Sequence, residues 1–224
     1  MPWDFIGQVD WAYLAKLVPI LCSGLGVSLK IFALTLLFAI PLGFLVSFGK
    51  MSRFKIISIP VNFYILVMRG TPLILQIIVV YFGPYYLFRL SYDRFTAIII
   101  AFVLNYAAYF AEIFRGGIES MPIGQYEAAD ALGFTRIQTF FRVILPQVIK
   151  RILPASANEV ITLVKDTALA QIIGVIELFS LAQKQASFKT SVMPLFVAGV
   201  FYFVLNWLVT LLFNYFEKKL NYYK

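Results

Sequence analysis

The sequence predicts an all-α membrane protein: about five transmembrane helices in a single domain spanning residues 1–224. Three observations carry this. Hydrophobic residues make up 61% of the chain and charged residues 13%, against roughly 45–50% and 25% in soluble domains. The apolar residues gather in runs that meet the requirement of about 20 helical residues per crossing. No low-complexity tract or tandem repeat interrupts them.

Composition also excludes functions. The net charge of +8 fits cytoplasmic loops and anionic head groups better than nucleic acid in so apolar a chain. There is no histidine, which removes histidine metal ligands and Ser–His or Cys–His dyads. The single Cys22 cannot form an internal disulfide. HExxH, a phosphate-cradling glycine loop and GK[ST] are all absent, so the chain is not expected to hydrolyse ATP.

The elements follow in order. The opening MPWDFIGQVDW lacks a basic n-region and a cleavage site. Trp3, Phe5 and Trp11 read as an interfacial segment, with a poorly ordered tail as the alternative. Span 1 is expected over residues 17–48, too long to stand perpendicular and so tilted or bent. Span 2 covers 56–82 and span 3 covers 95–114. Span 4, over 154–176, is the least apolar, and span 5 covers 193–216. Five spans place the termini on opposite sides. Lys50, Arg53 and Lys55, then Arg115, Arg136, Arg142, Lys150 and Arg151, then Lys218, Lys219 and Lys224 share one side. The bias places the long loop and the C-terminus in the cytoplasm and the N-terminus outside.

That loop, about 122–153, is patterned. Glu127 to Leu132 holds good helix formers with an acidic start. Gly133 then terminates the helix, and Thr135 can cap a second one. Ile137, Phe140, Phe141 and Ile144 form an apolar stripe at i, i+3, i+4 and i+7. Pro146 and Pro154 are expected to break or redirect the chain toward the membrane. The pattern alone fits a helix lying on lipid or a docking element for a partner.

Ionisable and helix-breaking residues at membrane depth point to function. In span 4, Glu159, Thr162 and Asp166 share one helix face, with Asn158 and Lys165 beside them. The alternatives are an interhelical hydrogen-bond seam or pairing with Lys165. In span 2, Arg69-Gly70-Thr71-Pro72 interrupts the helix, and such breaks bind solutes in transporters. A helix restarting near Pro72 would aim N–H groups, with Arg69, at a carboxylate; the alternative is a packing kink. Asn105 and Tyr106 are candidate cavity residues, with packing hydrogen bonds as the alternative. Glu112 is expected to pair with Arg115, and Lys30 to snorkel or face a neighbour.

Glu127-Ala128-Ala129, then Gly133, then Val143, Leu145 and Pro146 resemble the EAA loop of ABC-importer permeases. That pattern reads E-A-A, three residues, Gly, nine residues, I-x-L-P, and only Val143 departs from it. Arg69-Gly70-Thr71-Pro72-Leu73 with Gln76 resembles the polar amino acid subfamily (histidine, glutamine and arginine importers). The resemblance covers nearly the whole chain.

The resemblance implies a type I, MetI-like permease fold in a bacterial cytoplasmic membrane. It implies a coupling helix at Glu127, Ala128, Ala129 and Gly133, with the small residues in close contact with a cytoplasmic ATPase. Expected partners are two ATPase subunits, which bind ATP and Mg, and a second permease subunit, identical or paralogous. An extracytoplasmic solute-binding protein completes the assembly, with no cofactor in this chain and no nucleic acid. The expected function is import of polar, basic amino acids (arginine, lysine or histidine) by alternating access. The expected site comprises Arg69, Gly70, Thr71, Pro72, Gln76, Asn105, Asn158, Glu159, Thr162 and Asp166. Alternatives are a permease for glutamine or another polar amino acid, or, from a different class, a secondary transporter or channel.

Overall fold

The computed structural model describes residues 11–220, and every regular element among them is helical. Trp3 and Phe5 lie outside those residues; Trp11 opens the first helix, exposed.

Helix α1 (Trp11–Lys50) runs unbroken for 40 residues despite Pro19 and Pro41. At 1.5 Å per residue this is about 60 Å, twice a hydrocarbon core of about 30 Å, so α1 must tilt or project. Its buried face is small: Gly24, Ser28, Thr35, Ala39, Gly43 and Ser47, with Leu17, Leu21 and Ile31 in the same stripe. Helix α4 (Arg94–Glu119) packs along it. A Cβ on Gly43 would stand 2.8 Å from the Phe110 Cβ and 2.9 Å from the Ala107 carbonyl oxygen. Small residues give helices this close approach where lipid supplies no hydrophobic drive. The main core gathers there, around Ile31, Ala39, Phe102, Tyr106, Phe110 and Leu163.

The second expected span is two helices, α2 (Lys55–Gly70) and α3 (Leu73–Phe88), bent by 114° at their junction. Pro72 is the cause. The residue before a proline is driven out of the α region, and Thr71 is extended at φ −120°, ψ 148°. Each half packs on α4 separately, α2 through Ile65 against Ala108 and Ala111, and α3 through Ile77. Asp93 caps α4 by accepting the Thr96 N–H at 3.0 Å. Hydrogen bonds from Thr96 hold this exposed carboxyl below the usual carboxylate range.

The expected cytoplasmic loop is largely helical. Helix α5 (Ile123–Ala131) ends at Gly133, whose φ is +75°. The Gly133 N–H reaches the Asp130 carbonyl at 2.9 Å and the Phe134 N–H reaches that of Ala129 at 3.0 Å, the Schellman termination. Thr135 and Gln138 cap α6 (Arg136–Thr139) reciprocally. A π turn over Phe140–Ile144 then leads into α7 (Leu145–Asp166).

Pro146 and Pro154 do not break this run, contrary to expectation. The Leu145 N–H reaches back five residues to Phe140, so the wide turn absorbs the register change just before Pro146. Pro146 falls in the first turn of α7, where its missing donor has no intrahelical partner to lose. The π turn also divides the expected apolar stripe, because it departs from the 3.6-residue repeat. Ile144 and Phe140 pack inward with Met121 and Val148, while Ile137 and Phe141 stay exposed.

Helix α7 carries the fourth expected span. Its buried Ile152, Val160, Leu163 and Val164 face protein, where α4 and α9 (Met193–Leu220) pack against it. Among the described residues, α1, α4 and α9 are long and apolar enough to cross a membrane alone, and α2 with α3 make a fourth crossing if taken as one span. Between α7 and α9 lie a 3-10 helix (Thr167–Ile173) and α8 (Leu178–Lys189), which sequence reasoning missed. The fully buried Glu177 caps α8. It accepts from Ser180 N–H at 2.7 Å, Phe179 N–H at 2.8 Å, Tyr202 Oη at 3.1 Å and Ser28 Oγ at 3.3 Å. Such a carboxylate is tolerable in the interior only because donors surround it; here they tie α1, α8 and α9 together.

Candidate functional site

The break after α2 is stitched from the side. Carbonyls of a helix's last turn have no intrahelical partner. The Met68 carbonyl accepts instead from Gln76 Nε2 at 2.9 Å and from Asn105 Nδ2 at 3.1 Å. Gln76 Nε2 also meets the Thr71 carbonyl at 3.1 Å and Thr71 Oγ1 at 2.9 Å. Asn105 Nδ2 closes the network on Gln76 Oε1 at 2.9 Å. Three acceptors share the two Gln76 N–H groups. Gln76 and Asn105, expected in the solute site, therefore spend their amide protons holding the break open, the packing alternative for Asn105. Gly70, Thr71 and Pro72 form the exposed turn itself.

Arg69 stands at the end of α2, over the Tyr109 ring at 5.4 Å from its centroid. Its Nη1 lies 3.5 Å from Glu112 Oε2. Glu112, expected to pair with Arg115 alone, also binds Lys50 at the end of α1. On α7, Asp166 accepts from Tyr106 Oη at 2.7 Å. Glu159, half-buried on the same face, makes no hydrogen bond or ion pair among the described residues but feels the charges of Arg69 and Asp166. Lys165 is exposed and forms no ion pair among the described residues. Asn158 and Thr162 are exposed beside Glu159, and the Thr162 hydroxyl is turned back to the Asn158 carbonyl at 3.0 Å. The fold thus brings Arg69, Tyr106, Glu159 and Asp166 into one polar region from three helices.

On the α5 side, Glu127, Ala128 and Gly133 are exposed, while Ala129 is buried within the chain. Ala129 is therefore small at least for its own fold. A Cβ on Gly133 would meet nothing within 4 Å, so its glycine answers to the left-handed backbone of the turn. Around it Ile123, Leu132, Ile137 and Phe141 expose apolar side chains.

Comparison with known proteins agrees with this architecture. The family model described as binding-protein-dependent transport system inner membrane component matches residues 39–222. The chain belongs to that family. The permease is 38% identical over 215 residues to the arginine transport system permease protein ArtQ of Bacillus subtilis, covering 96% of this chain and 98% of that one. It is 37% identical to the octopine permease OccM of Rhizobium radiobacter, over 93% and 89% of the two chains. A solved amino acid ABC transporter with histidines superposes with a TM-score of 0.86 at 36% identity, over 95% and 99% of the chains. The inward-facing MetNI methionine transporter, at 17% identity and TM-score 0.72, shares the fold.

The permease is thus a MetI-like, inner-membrane subunit of an amino acid ABC importer. It transports rather than catalyses; ATP hydrolysis belongs to a separate ATPase subunit, and a solute-binding protein is a further partner. Sequence reasoning missed two features of the site. Tyr106 and Asp166 were singled out separately, but a separation of 60 residues along the chain hid their contact. The Lys50–Glu112 ion pair lies across a similar gap of 62 residues, with no local spacing to reveal it.

Proposed function

We propose that the permease carries a polar amino acid with a cationic group, with arginine, lysine and histidine preferred over acidic amino acids. The observation that carries this is the convergence of Glu159 and Asp166 on one α7 face, across from Arg69 at the broken helix. Two carboxylates favour an ammonium or guanidinium. Arg69, with the exposed turn Gly70-Thr71-Pro72, suits the solute carboxylate. Likeness to the arginine permease supports this reading, and likeness to the L-cystine permease TcyB of Bacillus subtilis, at 33% identity, keeps a neutral polar amino acid as the second reading.

The exposed Asn158, Thr162 and Lys165 on α7 would be costly against lipid. A second permease subunit, identical or paralogous, covers that face and completes the pathway. Two ATPases, binding ATP and Mg, dock on α5 through Glu127, Ala128 and the apolar ring about Gly133. On this reading that side and the C-terminus lie in the cytoplasm and the N-terminus outside; the basic ends of α1 and α9 and the loop arginines support it.

The test is uptake in proteoliposomes containing permease, ATPase and binding protein, with a panel of arginine, lysine, histidine, glutamine and glutamate. Arginine-class uptake that needs ATP and falls at least tenfold in Glu159→Gln is expected. Preferred glutamate uptake, or arginine uptake unaffected by that substitution, overturns the charge argument.

A further inference from the structure

Glu112 lies toward the end of α4 that leads into α5, and it meets three cations. Lys50 Nζ binds Oε1, while Arg115 Nη2 hydrogen-bonds Oε2 at 2.9 Å. Arg69 Nη1 is the third, at 3.5 Å and without a hydrogen bond to it. The three are not equivalent. The Arg69 side chain is 43% exposed, against 22% for Lys50 and 29% for Arg115. Arg69 is therefore the most weakly held.

Its departure also costs little. Removing the only partner of a buried charge is strongly destabilising, but Glu112 keeps Lys50 and Arg115 when Arg69 moves. Open space supports the movement. A Cβ on the following Gly70 would meet nothing within 4 Å, and Thr71 is already out of the helix. The Tyr109 face gives the guanidinium a second, non-ionic rest on the same side.

We infer that Glu112 is a positioning residue that holds Arg69 in a resting place, in competition with the solute's carboxylate. Arg69 leaves Glu112 when the carboxylate arrives and returns when it departs. The competition keeps Arg69 from pairing with Glu159 and closing the empty site. It also weakens solute binding enough to permit release. This rests on the reading that Arg69 meets the solute carboxylate.

The experiment is equilibrium binding of radiolabelled arginine and of agmatine, which is arginine without its carboxylate, to the purified permease–ATPase assembly. An exposed ion pair contributes about 0.2–1 kcal/mol. Glu112→Gln is therefore expected to tighten arginine binding by roughly 1.4- to 5-fold and to leave agmatine unchanged. In an Arg69→Gln background the same substitution should have no effect on arginine. Should Glu112→Gln fail to assemble, Glu112→Asp keeps a negative charge beside Lys50 and Arg115 while lengthening the Arg69 contact, already the longest at 3.5 Å, and should tighten binding likewise. Unchanged or weakened arginine binding, equal shifts for agmatine, or a shift that survives loss of Arg69 overturns the inference. Wild-type assembly that binds glutamate in preference to arginine overturns the proposed substrate class instead.

Discussion

Tyr106 Oη donates to Asp166 Oδ2 at 2.7 Å, joining the middle of α4 to the last residue of α7. Tyr106 is 2% exposed and stacks on Phe102, so its ring cannot follow a moving partner. The contact therefore fixes one oxygen of Asp166.

Replacing Tyr106 by Phe keeps the packing and removes the donor. A hydrogen bond to a charged group contributes about 1.5–3 kcal/mol. Tyr106→Phe should lower the thermal midpoint of the purified assembly by several degrees and weaken arginine binding. A midpoint and affinity equal to wild type would show that the pair positions nothing.

Gln76 predicts a different outcome from a direct ligand. Gln76→Leu removes the donor to Thr71 and one of the two donors to the Met68 carbonyl, which costs about 1–3 kcal/mol for groups left unsatisfied. Binding of every amino acid tested should fall by a similar factor, with no change in the order of preference. Titration of arginine, lysine and glutamine checks this; a selective loss for one of them would make Gln76 a ligand-reading residue.

At Gly133 a backbone effect can be separated from a contact effect. The φ of +75° disfavours side chains by about 1–2 kcal/mol, with asparagine among the tolerated exceptions. No atom within 4 Å would obstruct a Cβ. Gly133→Val should abolish ATP-driven uptake while Gly133→Asn retains most of it. If Asn is as damaging as Val, intimate contact with the ATPase, not turn conformation, demands glycine there.

The α1–α4 seam should be intolerant of volume. Gly43→Val drives a side chain into Phe110 and the Ala107 carbonyl, and overpacking of this kind costs about 1–3 kcal/mol. Gly199→Val, where a Cβ would meet nothing within 4 Å, is the control. Thermal unfolding of the two variants in the same detergent should separate them by several degrees.

Legibility differed by residue. Gly133 and Thr135 were readable because caps and terminations are local: a glycine beyond a helical run and a threonine before one act within three or four residues. The Thr71–Pro72 break was readable for the same reason. Its 114° bend was not, since a proline ends a helix but packing on α4 decides where the next one points. The stripe from Ile137 to Ile144 misled because a π turn, stabilised in context, changes the repeat on which the stripe was counted.

By itself, the sequence determined the membrane class, the long apolar helices, the polar face of α7 and the coupling-loop pattern. These depend on composition, period and neighbours along the chain. Tertiary structure alone decided that Ala129 is buried, that Gln76 and Asn105 serve the break, that Glu177 ties three helices, and that Glu112 gathers Lys50, Arg69 and Arg115. Each of these is a meeting of residues from separate helices or turns. Such meetings follow from how closely small-residue faces let the helices approach, which periodicity within one helix does not specify.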